Sequence, residues 1–197
     1  SAAQGYSIGL SADGNTLISG GTADNSSKGA AWIFTRNASV WTQQGDKLVG
    51  TQNTDILQQG RSVSISADGN TAIVGGYHGY TGIGAIWTYK RAVNTWSQQG
   101  ERLSGSGGVG NTSQGQGIAL SADGTRAIVG GYRDNGSMGA AWIFKYVPKP
   151  IISSFSPVNA GVGATVSVHG SGFTDLTSMS FGGVAAGSFI VHSDTLI

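Results

Sequence analysis

The strongest constraint on this chain is a repeat: one pattern of residues occurs three times, each copy 55 positions after the last. Asp13, Asp68 and Asp123 keep that step, as do Trp32, Trp87 and Trp142. The glycine pairs Gly20-Gly21, Gly75-Gly76 and Gly130-Gly131 keep it too, and no insertion or deletion separates the copies. Three copies in one register must build three copies of one structural unit, each finding its hydrophobic partner in its neighbour.

The middle copy shows what that unit is. Ser62-Val63-Ser64-Ile65 alternates small and apolar residues, the period of a half-buried strand. Ser66-Ala67-Asp68-Gly69 is a tight turn, since Asp bonds its own neighbouring backbone and Gly accepts a positive φ. Thr71-Ala72-Ile73-Val74 is a second strand ending at Gly75-Gly76, and Gly84–Tyr89 a third. Beyond a turn at Val93-Asn94, Thr95–Leu103 is the fourth. Four short strands in chain order form an antiparallel meander, the blade of a β-propeller or a related array. The predicted class is all-β: three blades belonging to a larger ring, occupying residues 1–147.

Trp32, Trp87 and Trp142 are expected to plug the space between blades. The same alternating face carries Phe34, Tyr89 and Phe144, which favours core over the alternative role of a sugar-stacking platform. Asp13, Asp68 and Asp123 are expected to be structural turn residues.

A small-residue first strand, an Asp-Gly turn, an apolar strand ending in Gly-Gly and a Gly-Ala-x-Trp-x-Phe strand together resemble FG-GAP repeats. These build the seven-bladed propellers of integrin α-subunit heads and of many bacterial surface proteins. The similarity spans Gln4 to about Lys145 and is closest to a bacterial variant marked by SADGNT, GAAWIF and WTQQG. One departure matters. The integrin-type repeat carries a calcium loop, D-x-N-x-D-G-x-x-D. Here Gly9, Ser64 and Ala119 stand where its first Asp would be, and Leu17, Ala72 and Ala127 where its last would be. One carboxylate per turn cannot supply the six to eight oxygens calcium takes. The expectation is therefore a chain without a bound metal or other cofactor.

After Val147-Pro148-Lys149-Pro150, a stiff proline linker, the period stops. The third copy loses its outer strand there, with Ile151 where Trp41 and Trp96 stand earlier. Residues 148–197 resemble the first part of an IPT/TIG domain, an immunoglobulin-like sandwich of bacterial surface proteins. The matching pieces are ISSFSP, GVGATVSVHGSGF, SFGG and HSDTLI. The resemblance implies further sequence beyond both ends, and an unpaired third strand at Gly139–Phe144 that an upstream segment or a neighbouring chain would complete.

Composition narrows the function. Charged residues make up 11% of the chain, and the net charge of +1 comes without a basic run. Nucleic-acid binding therefore has no electrostatic support. No apolar run is long enough for a membrane helix, and cysteine is absent, which removes disulfides and cysteine-based zinc sites. His78, His169 and His192 share no metal-ligand spacing, no serine sits in a Gly-x-Ser-x-Gly elbow, and the three turn aspartates are too far apart to work as a pair. No enzyme activity is expected.

The copies diverge most after the second strand, where they read TADNSSK, YHGYTGI and YRDNGSM. Loops on a rigid scaffold commonly carry recognition. Tyr77, His78, Tyr80, Tyr132, Arg133 and Asp134 are accordingly the candidate ligand-binding residues, suited to a protein or glycan surface. The expected role is an extracellular or cell-surface interaction module of a bacterial protein. The alternatives are a self-assembling structural subunit completed by its neighbours and, more remotely, the accessory domain of a secreted enzyme.

Overall fold

The computed structural model describes residues 1–52, 56–77, 82–146, 150–159, 161–174 and 176–197. They form two compact units, Ser1–Lys145 and Tyr146–Ile197. The fold is all-β, built from several antiparallel sheets, none of which closes into a barrel among the described residues.

Each repeat makes one sheet in the first unit. The first sheet comprises β1 (Gln4–Leu10), β2 (Thr16–Gly21), β3 (Ala30–Asn37) and β4 (Val40–Gln43), paired in chain order, with a single turn α1 (Asp24–Ser27) after β2. The second comprises β5 (Ser62–Ile65), β6 (Thr71–Gly76), β7 (Ala85–Ala92) and β8 (Thr95–Gln98). The third has β9 (Gly117–Leu120), β10 (Arg126–Gly131), the turn α2 (Asp134–Ser137) and β11 (Ala140–Lys145), which has no further strand outside it among the described residues.

The fourth strand is shorter than its sequence suggests, ending at Gln98 rather than Leu103. Gly100, at φ 69, turns the chain away. Leu103 then rejoins the sheet at one isolated bridge opposite Ile86.

The hairpin between first and second strands is held the same way in all three sheets. In the first, Asp13 Oδ1 accepts from the Ser11 hydroxyl and from the Asn15 amide, while Oδ2 accepts from the Asn15 side chain. Ser11 Oγ in turn accepts from the Thr16 amide at 2.9 Å. Asp68 and Asp123 repeat the arrangement. The hairpins also bond to one another: Ala12 N donates to Ala67 O at 3.0 Å and Ala67 N to Ala122 O at 2.9 Å.

Between the first and second sheets lies the main core. Ile18, Ala31, Ile33 and Leu48 of the first meet Val63, Ile65, Ala72, Val74, Trp87 and Tyr89 of the second. Each fully buried aliphatic side chain there contributes about 1.5–3 kcal/mol relative to exposure. Trp87 is wholly buried, and its indole N–H donates to the Thr51 carbonyl at 2.9 Å. The ring lies against Gly50, where a Cβ would collide with it. Buried Gln59 accepts from the Gly50 amide at 2.9 Å. At the rim, Gln44 Oε1 accepts from Trp96 Nε1 at 2.9 Å and from Arg91 at 3.2 Å, with the Arg91 guanidinium 5.6 Å from the Trp96 ring centre.

The second and third sheets repeat the inner half of this junction. Trp142 Nε1 donates to Ser106 O at 2.9 Å, and Gln114 accepts from the Gly105 amide at 2.6 Å. Ser7 and Ser62 each donate to a carbonyl of the following repeat, Gly60 at 2.8 Å and Gly115 at 2.6 Å. The sequence does not repeat the Arg–Trp pair of the rim clamp, since Tyr146 and Ile151 stand where Arg91 and Trp96 would recur. Gln99, the equivalent of Gln44, bonds instead to Ser97 of its own strand.

The second unit pairs β12 (Ile151–Ser156) with β13 (Ser167–Ser171) and β14 (Ser180–Phe181) with β15 (Val184–Ala185). Its core is small: Val168, Phe173 and Ile197, lined by Val166, Leu176, Met179, Phe189 and Val191. Asp194 ties the segment after β13 by accepting from the Thr174 hydroxyl at 2.7 Å and from the Gly172 amide at 3.3 Å. These bonds hold its pKa below the usual carboxylate range.

Candidate binding face

A meander places the start of its first strand beside the end of its second. The Arg61 amide accordingly donates to the Gly75 carbonyl at 3.2 Å. Two repeat positions therefore share one end of every sheet. Tyr6, Arg61 and Gln116 occupy the first, and Thr22, Tyr77 and Tyr132 the second. The Asp-Gly hairpins lie at the opposite end.

At this end the Arg61 guanidinium lies between two rings, 4.6 Å from the centre of Tyr6 and 5.0 Å from that of Tyr77. Each such contact is worth about 0.5–1 kcal/mol at an exposed site, enough to hold both rings in place without hiding them. Tyr132 is 48% exposed, with the Arg133 guanidinium 5.4 Å from its ring centre. Gln116 Oε1 is buried at the same end with no hydrogen-bond partner among the described residues.

Asp134 plays a different part. It is buried, and its Oδ1 accepts from the Val109 amide at 2.7 Å while the Asn135 amide donates to Val109 O at 3.0 Å. Those bonds pin the loop after β10 to the segment that precedes the third sheet. In the first sheet the equivalent Asp24 pairs with Lys47 at 2.6 Å. His78 and Tyr80 lie outside the described residues.

Of the candidate residues, then, Tyr77 and Tyr132 share one end of adjacent sheets and Arg133 stacks on its neighbour, while Asp134 is turned inward. Tyr6 and Arg61 escaped the sequence reading. The signal was available: within an otherwise constant Gln-Gly-x-x pattern, that single position reads Tyr, Arg and Gln in successive copies.

The turn aspartates have no such freedom. Hydrogen bonds from Ser11 and Asn15 bring Asp13 down to about 2, and those from Ser121 and Thr125 do the same for Asp123. At Asp68 partial burial opposes the shift, but Ser66, Asn70 and the charge of Arg91 still lower it. Among the described residues no three His, Asp or Glu side chains cluster closely enough to hold a metal ion. Nor is any described helix long and apolar enough to cross a membrane.

No protein-family model matches this chain, and no curated protein matches it in sequence.

Proposed function

We propose that this chain is a non-catalytic interaction module of an extracellular or cell-surface bacterial protein, binding a protein or glycan surface through the Tyr6–Arg61–Tyr77 and Tyr132–Arg133 end of its repeats. On this reading the repeats are FG-GAP-type propeller blades and residues 148–197 are part of an IPT/TIG-type, immunoglobulin-like domain. The sequence resemblance supports those family assignments, and the meander sheets of the first unit are compatible with them.

The observation that carries the reading is the stack itself. Two tyrosine rings held by one guanidinium form a pre-ordered, amphipathic surface, the type of anchor that loses little side-chain entropy on binding. Aromatic faces suit the apolar faces of sugar rings as well as protein side chains, and the neighbouring arginines supply planar donors.

The test combines Arg61→Ala, Tyr77→Ser and Tyr132→Ser in one variant. The parent chain is first screened on a glycan array and on a panel of immobilised surface proteins. Binding by the parent that is lost in the variant, with an unchanged circular dichroism spectrum, is the expected result. Equal binding by both would place the site elsewhere, and no binding by the parent would contradict the proposal.

A further inference from the structure

The arginines of the first unit that stack on aromatic rings divide by what their N–H groups do. Arg36 lies 5.7 Å from the Trp41 ring centre and donates to Asn15 at 3.1 Å. Arg91 lies 5.6 Å from that of Trp96 and donates to Asn70 at 2.9 Å and to Gln44 at 3.2 Å. Arg61 and Arg133 stack as well, Arg61 between Tyr6 and Tyr77 and Arg133 on Tyr132. Among the described residues, however, neither guanidinium donates a hydrogen bond, and neither has a carboxylate within ion-pair distance.

The aspartates of the loops at this end are committed elsewhere. Asp24 pairs with Lys47, and Asp134 is buried against the Val109 amide. Asp13, Asp68 and Asp123 are held in the hairpins at the opposite end. Ring contact leaves the planar fork of Arg61 without an acceptor, and that fork matches a carboxylate through two parallel bonds. Held by its rings, the side chain also has less freedom to lose on pairing. Tyr6 is 50% exposed and Tyr132 about as much, so an aromatic face lies beside each guanidinium.

The positive charge is local. Ser7 donates to Gly60 O and Ser62 to Gly115 O, and these bonds set Tyr6, Arg61 and Gln116 side by side in successive repeats. The third member of that row is an uncharged amide, and the chain has a net charge of +1 without a basic run. Such a surface fits single negative charges flanked by hydroxyls rather than a dense polyanion.

We propose that the Tyr6–Arg61–Tyr77 stack and the Tyr132–Arg133 pair select acidic sugars. The carboxylate of a pyranose takes the guanidinium edge, and its C–H face lies on a tyrosine ring. This rests on the binding face proposed above and adds the charge of the ligand to it. Gln116, whose Oε1 is buried with no partner among the described residues, supplies the amide that a sugar hydroxyl would engage.

The test uses the full chain and probes that differ only at the carboxyl: oligogalacturonate and sialyllactose, each against its methyl ester. Esterification removes the charge without the acid that would also titrate Asp13 and Asp123. Isothermal calorimetry at neutral pH should show binding of at least one acidic probe. Its ester should bind about ten- to a hundredfold more weakly, the value of one charge-assisted pairing. Arg61→Gln with Arg133→Gln should abolish that preference at an unchanged circular dichroism spectrum. Lysines at both positions should restore only part of it, because lysine keeps the charge and lacks the fork.

Acid and ester bound alike, with binding lost in the combined Arg61→Ala, Tyr77→Ser and Tyr132→Ser variant, would overturn acid selection and leave the binding face standing. A preference that survives both glutamines would place the carboxylate elsewhere and overturn it too. Stronger binding of a sulfated oligosaccharide or of a polyglutamate peptide would do the same, since each is a different ligand class. Binding of no probe would also overturn acid selection, and the wider glycan and protein screen then decides the face independently. The acid–ester comparison is made on the parent chain, so it holds whether or not a variant folds.

Discussion

Ile73 and Ile128 stand at the same position of successive repeats, in strands of the same register, between the same Ala and Val neighbours. Ile73 is fully buried and Ile128 is 47% exposed. The difference is not in the residue or its strand but in what lies across from it: the third sheet covers Ile73, and among the described residues no sheet covers Ile128. Strand formation here is local, set by alternation and by the Asp-Gly turn. Burial is a property of junctions. In such an array stability is approximately a sum over units and nearest-neighbour interfaces, so equivalent residues should carry unequal energies.

The widest gap is expected at the tryptophans. Trp87→Ala opens the centre of the main junction and should cost about 3–5 kcal/mol. Trp32→Ala, at the equivalent position of a face that no sheet covers among the described residues, where the ring is only half-buried, should cost nearer 1 kcal/mol. Urea melts of the two variants check this, and equal losses would break the comparison.

The isoleucines give a smaller contrast. Ile73→Ala should cost about 2–4 kcal/mol, and Ile128→Ala a fraction of that, read from the shift in denaturation midpoint at constant slope.

Acid should act on the hairpins. Asp13 and Asp123 are lowered from 3.8 to about 2 in the folded chain by hydrogen bonds that the unfolded chain lacks. A depressed carboxyl stabilises the fold above its unfolded pKa and loses that contribution as pH falls through the folded one. Melting temperature should therefore decline between about pH 4 and pH 2, and Asp13→Asn with Asp123→Asn should flatten the decline. A parent curve that is flat over this range would contradict the hydrogen-bonded turns.

The smallest effect expected is none. The turn carboxylates are already engaged by Ser, Asn and Thr, and one per hairpin falls short of a calcium shell. EDTA should leave the melting temperature unchanged, and a clear drop would reveal a structural cation.

Much of this was legible in the sequence. The period gave three equivalent sheets, and the alternation in Ser62–Ile65 and Thr71–Gly76 gave their strands. The Asp-Gly pairs marked hairpins because few other dipeptides close so tight a turn. What could not be read was which copies have covered faces, since identical residues in the three copies meet different neighbours. The rim clamp was also hidden, because Gln44 reaches Arg91 and Trp96 across a junction and no local pattern encodes that contact. The candidate face was half visible. Divergent loops pointed to Tyr77 and Tyr132, but the Arg61 stack joins residues from two repeats and emerges only in three dimensions.

Hydrogen exchange of the central strands tests the junction account most directly. β2, β6 and β10 have near-identical sequences and the same place within their sheets, but among the described residues β6 alone has a sheet packed on both faces. Its amides, from Ala72 to Gly75, should exchange slowest, through the largest opening of the first unit. Those of β10, from Ala127 to Gly130, should exchange markedly faster through local opening. Equal protection of β6 and β10 would show that the sheets are stable by themselves and that the junctions do not set the hierarchy.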